Sequence, residues 1–163
     1  MKKKNKVDPD SKSDDGPSIT EIFQDIVGPS SSHTAGAVAI GNAVFQFCGG
    51  KPPSKATFRL FNSFATTGFL HGTHNGLLAG TFGLKPNDER IHDAIQLATF
   101  EYEFIEIEND ESRHPNEVEI VFDFVENCKK QRAKIVGQSL GGGFVKVEGN
   151  KGSTAVAGNG GGA

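Results

Sequence analysis

The stretch VEIVFDF, residues 118–124, decides the fold. Val118, Ile120, Phe122 and Phe124 fall on one face, while Glu119 and Asp123 point to the other. That two-residue period belongs to a strand with one buried face. Working outward, ATFRLF (56–61) alternates the same way, with Ala56, Phe58 and Leu60 together, and EYEFIEIE (101–108) is a third strand. AKIVG (133–137) and FVKVE (144–148) are short strands around QSLGGG.

Helical spacing occupies other segments. From Ala35, small or apolar residues recur at Ala37, Ile40, Gly41, Val44 and Cys48, and Gly49-Gly50 followed by Pro52-Pro53 ends the run. A helix is expected near Leu77, Leu78 and Phe82. Another is expected over 87–100, starting at Asn87 or Asp88 with Ile91, Ile95 and Leu97 inward. Ser18 and Thr20, with Glu21, cap a short helix through Ile22, Phe23 and Ile26. Strands and helices mix without strict alternation. The expected class is α+β, a mostly antiparallel sheet with helices packed on one side.

Composition bounds the function. The 163 residues suit one domain, and Lys plus Arg at 17 against Asp plus Glu at 20 leaves a net charge of −3. That balance gives no footprint for nucleic acid or for an anionic membrane. The basic run 2–6 is followed by VDPDSKSDDGPS rather than an apolar stretch, which argues against a signal peptide. No segment approaches the roughly 20 apolar residues of a membrane span. Cys48 and Cys128 are too few to ligate a zinc or an iron–sulfur cube, and read as core thiols in a reducing cytoplasm. Residues 1–17 have the composition of a disordered segment. Residues 18–148 form the folded domain, and 149–163 form a Gly-rich flexible tail, a linker or a cut boundary.

Two polar segments precede helices. In GPSSSHT (28–34), three serines, His33 and Thr34 stand before a helical run. One reading is a simple cap by Ser32 or Thr34. The other is an anion site, in which unpaired N–H groups, the helix dipole, hydroxyls and a histidine gather around a carboxylate or phosphate. The second segment, NSFATTGFLHGTHNG (62–76), leaves a strand and enters a helix, carrying Thr66, Thr67, Thr73, His71 and His74 among glycines. The triple glycine 141–143 would admit close backbone approach, or a tight turn.

These residues carry a resemblance. GPSSSHTAGAVAIG is similar to the signature of the beta chain or beta domain of iron–sulfur L-serine dehydratases. SFATTGFLHGTHNGLLAG resembles that family's second loop, and DERI, RHPNEVEI and VGQSLGGGFVKV follow in its order, covering residues 19–147. The resemblance implies a fold like the allosteric substrate-binding domain of some phosphoglycerate dehydrogenases. It also implies conversion of L-serine to pyruvate and ammonia, with the hydroxyl leaving under the Lewis acidity of a 4Fe-4S cluster ligated by an alpha chain. It assigns Ser30, Ser31, Ser32, His33 and Thr34 to the serine carboxylate, with Thr73 completing the substrate-binding set. It leaves His33 and His71 as the candidates for the catalytic base. The alternative function is a serine-binding regulatory module without turnover. Two departures stand out. Asn62-Ser63 replaces the family's Gly-Ser. His74 replaces an acid, so restoring aspartate there is expected to raise turnover unless the side chain simply faces solvent.

Overall fold

A computed structural model describes residues 32–68 and 72–151. Five strands form one sheet in the order β2-β1-β3-β4-β5: β1 (Lys55–Asn62), β2 (Glu101–Ile107), β3 (Asn116–Glu126), β4 (Lys129–Gly141) and β5 (Phe144–Lys151). Only β1 and β2 pair in parallel, and the remaining neighbours are antiparallel. A parallel pair needs a crossover, and this one carries the helices α2 (Ser63–Thr67), α3 (Thr73–Thr81) and α4 (Ala94–Leu97). The α+β class with a mostly antiparallel sheet is therefore observed. One sheet face buries Ala56, Phe58, Leu60, Val118, Ile120, Phe122 and Phe124 against the helices, as the alternation requires.

The sheet is more extensive than its sequence suggests. β3 and β4 form one long hairpin, with Glu126 opposite Lys129. Asn127 and Cys128 turn it at φ 51° and 61°, the doubly positive pair of a type I′ turn. At the other end of β4, Gln138 to Gly141 continue the strand toward the Gly-rich turn. Gly149 to Lys151, placed in the tail by composition, pair with Ile135 to Ala133. Cys128 is thus not a core thiol: it is exposed on the turn. Cys48 is partly buried just after the helix α1 (Ser32–Phe47), and burial pushes its thiol up to about 12. Because cysteine carries a Cβ that crowds the left-handed region, Cys128→Gly is expected to stabilise the domain by about 0.5–1 kcal/mol. A melting temperature raised by a few degrees would show it, and an unchanged or lower one would mean the turn bears no strain.

The helix α1 (Ser32–Phe47) lies across the sheet beside α3. Their contacts advance together along both chains: Gly76 meets Thr34 and Ala37, Gly80 meets Val38 and Asn42, and Gly41 meets Leu77 and Thr81. The two helices therefore run in the same direction with backbones in contact. Against the sheet, Ile40 fills the space over Gly137.

The segment 87–100 departs from expectation. It begins as a 3-10 helix, Glu89–Asp93, and ends in the single turn α4. With three residues per turn the buried stripe becomes Ile91 and Ala94, which leaves Ile95 exposed rather than inward; Leu97, at the end of the single turn, is also exposed. Asp88 caps the segment by accepting from Arg90 N at 2.9 Å, and the Arg90 guanidinium holds its carboxyl down at about 2. The helix expected over 18–26 lies outside the described residues.

The opposite sheet face is polar and pairs its own charges. Glu117 and Glu119 point to it as the alternation predicts, yet both are buried. Arg113, from the β2–β3 connection, covers them, donating to Glu117 at 2.7 Å and to Glu119 at 3.1 Å with its guanidinium 4.3 Å over the Phe61 ring. The same connection is tied to the end of β1. Asn62 Nδ2 donates to Asp110 O at 2.9 Å, its Oδ1 accepts from Asp110 N at 2.8 Å, and Ser63 N donates to Pro115 O at 2.8 Å.

Candidate functional site

Three segments singled out by sequence meet at one end of the fold. The first turn of α1 is the hub. A Cβ on Gly72 would lie 3.2 Å from Thr34 Oγ1, a Cβ on Gly76 would lie 3.0 Å from Thr34 O, and a Cβ on Gly36 would lie 2.6 Å from Ser139 Oγ. The first turns of α1 and α3 are thus side by side, next to the end of β4 just before the triple glycine. Gly72 enters α3 at φ 73°, a conformation that suits glycine. Gly141, Gly142 and Gly143 also have positive φ, at 94°, 62° and 83°, and turn β4 into β5.

Two parallel helices with adjacent starts direct two positive dipole ends toward one region, where the first N–H of α3, that of Thr73, already donates to Gly68 O at 2.9 Å. Thr73, at the start of α3, is fully buried, and its Oγ1 has no hydrogen-bond partner among the described residues. A buried hydroxyl left unpaired costs about 1–3 kcal/mol unless something binds it. Ser139 is buried nearby, and Thr34 is half-buried. Such a cluster suits a small anion.

The candidate residues distribute as follows. Thr34 and Thr73 are brought to the same end. Ser32 and His33 belong to the first turn of α1, so the helix begins three residues earlier than Ala35. Ser30, Ser31 and His71 lie outside the described residues. For His74 the solvent-facing alternative is excluded, because the residue is 2% exposed. Its ring packs edge-on against Phe104 at 4.4 Å, and Nε2 faces Glu106 Oε1 at 3.3 Å. Gly68 leaves room for the imidazole, since a Cβ there would lie 2.7 Å from Nδ1. Sequence reasoning missed Glu106. The available signal was its alternation with Tyr102 and Phe104, which puts a carboxylate on the helix-facing side of β2, in register with the core residue Leu60.

Among the described residues no three His, Cys, Asp or Glu side chains lie close enough to hold a metal ion. Cys48 directly follows α1, and Cys128 turns the β3–β4 hairpin, so both sit at the end of the fold away from these loops. The described residues therefore could not themselves ligate an iron–sulfur cluster at this site. No helix among them is long and apolar enough to cross a membrane.

Fold and site together define a two-layer α+β domain that gathers polar loops around two helix starts. The family model of the serine dehydratase beta chain matches residues 18–102, and the chain belongs to that family. It is 37% identical over 125 residues to the L-serine dehydratase beta chain of Peptoniphilus asaccharolyticus, covering 75% of this chain and 54% of that protein. It is 36% identical over 124 residues to the probable L-serine dehydratase beta chain of Bacillus subtilis (strain 168), with the same two coverages. The chain spans about half the length of the curated relatives it matches.

Proposed function

We propose that this chain is the beta subunit of an iron–sulfur L-serine dehydratase and supplies the pocket for the serine carboxylate, in an active site completed by an alpha chain. The observation that carries the reading is the adjacency of two helix starts, with Thr73 at one of them holding a buried hydroxyl that has no hydrogen-bond partner among the described residues. In this reading the N–H groups of α1 and α3, with Thr34, Thr73 and the serines 30–32, donate to the two carboxylate oxygens. Fixing the carboxylate orients the α-carbon toward a base, for which His33 and His71 remain the candidates. Loss of the α-proton and the β-hydroxyl gives an enamine, which tautomerises and hydrolyses to pyruvate and ammonia. Activation of the hydroxyl falls to the alpha chain, which would ligate the 4Fe-4S cluster. The reading places the complex in the cytoplasm.

The test is to co-express this chain with a candidate alpha chain and assay pyruvate from L-serine. The complex is expected to turn over, and this chain alone is expected not to. Serine binding by the complex without turnover would instead make the domain a regulatory module. His33→Ala in the complex is expected to raise KM about ten-fold or more, since a charge-assisted hydrogen bond contributes about 1.5–3 kcal/mol. An unchanged KM with kcat abolished would make His33 the base and leave binding to the hydroxyls.

A further inference from the structure

We infer that Glu106 is a positioning residue, which acts through His74 to hold the turn that begins α3. The inference rests on the proposed carboxylate pocket and names what supports one of its walls. His74 occupies the first turn of α3, directly after Thr73, and is nearly fully buried. Three elements enclose its ring. Phe104 of β2 lies edge-on at 4.4 Å, Gly68 at the end of α2 lies against Nδ1, and Glu106 of β2 faces Nε2 at 3.3 Å. Glu106 is 41% exposed at its side chain, so one face of the carboxylate is hydrated while the other meets the imidazole.

Geometry links this pair to the pocket. Thr73 N donates to Gly68 O at 2.9 Å, and Gly76 N donates to Gly72 O at 2.8 Å. The backbone of 68 and the start of α3 are thus closed on each other, with the imidazole filling the space beneath. If the ring tilts, Gly68 and Thr73 must move with it, and so must the N–H groups offered to an anion. A carboxylate 3.3 Å from Nε2 limits the tilt by close contact and by its attraction for the polar edge of the ring, with no hydrogen bond formed between the two. The partner lies across the crossover on β2, so it anchors the turn to the sheet rather than to its own helix. Glu106 is not assigned a catalytic role.

Glu106→Ala and Glu106→Gln separate this from general stability. In the isolated chain, Glu106→Ala is expected to speed amide hydrogen exchange at Thr73 at least ten-fold, with the amides of β3 and β4 unchanged. In the serine-active complex it is expected to raise KM about five-fold with kcat within two-fold. Glu106→Gln, which keeps an acceptor at the same reach, is expected to restore most of both. Unaltered exchange at Thr73 in Glu106→Ala would overturn the inference. So would an unaltered KM in a complex whose wild type turns over. A wild-type complex that makes no pyruvate would count against the proposed function alone, because the exchange measurement does not depend on turnover.

Discussion

Gly80→Ala is expected to destabilise the domain by about 3 kcal/mol, lowering the melting temperature on the order of 10 °C. Two effects compete at this position. Alanine is a better helix former than glycine by about 1 kcal/mol, so propensity alone predicts a gain. Packing opposes it. A Cβ on Gly80 would fall on the carbonyl oxygen of Val38 and lie 2.7 Å from Asn42 N, both backbone atoms of α1. A side chain can rotate out of such an overlap, but a backbone carbonyl moves only if the helix moves. Gly41 faces the reciprocal problem, with its Cβ on Leu77 O and 2.8 Å from Thr81 N. The helices would have to separate, opening gaps around Val38, Leu77 and Leu78, which are fully buried. Separation would also part the two helix starts and weaken any anion held between them. Thermal melting of the isolated chain decides the matter, and a variant as stable as the wild type would mean that α1 and α3 are not in backbone contact.

What the sequence disclosed follows from how local each signal is. Residues 118–124 and 56–61 show their pattern within a few positions, since one buried face writes itself into every second residue. The C-terminal end of α1 is equally local: Gly49 and Gly50, at φ 74° and 79°, stop it as the sequence suggests. The β3–β4 hairpin was hidden because Asn127-Cys128 lacks the glycine that advertises a type I′ turn. α2 was hidden because Ser63, Thr66 and Thr67 read as a loop. In the folded chain Thr66 and Thr67 return their hydroxyls to the carbonyls of Asn62 and Ser63, one turn back. The burial of Glu117 and Glu119 depends on Arg113 arriving from a neighbouring connection, and no period in β3 encodes that. For the site, the motifs marked two helix starts, and the fold brings Thr34 and Thr73 together. The partner of His74 was invisible because Glu106 is 32 positions later on an adjacent strand, and only the parallel register brings it under α3.

His74→Asp is expected to destabilise the domain by about 3 kcal/mol, which reverses what the resemblance alone suggests for this position. The resemblance treats aspartate as the restored residue and predicts higher turnover. The surroundings of residue 74 in this chain are built for a ring. Truncating the imidazole removes its contact with Phe104 and leaves a void beneath Gly68, a loss of roughly 2 kcal/mol for a buried side chain of this size. The new carboxylate would then stand near that of Glu106, two like charges where the wild type sets the edge of an imidazole against the carboxylate. Because Glu106 is 41% exposed it can swing toward water, so the repulsion is limited to about 1 kcal/mol. His74→Asn separates the two contributions, since it makes nearly the same void without the charge. The aspartate variant should melt below the asparagine variant at neutral pH, and Glu106→Gln should close that gap. Equal melting of the two variants would remove Glu106 from the account. A complex of His74→Asp with higher kcat and an unchanged melting temperature would show that the ring's packing contributes nothing, and that an acid at 74 needs no different neighbour on β2.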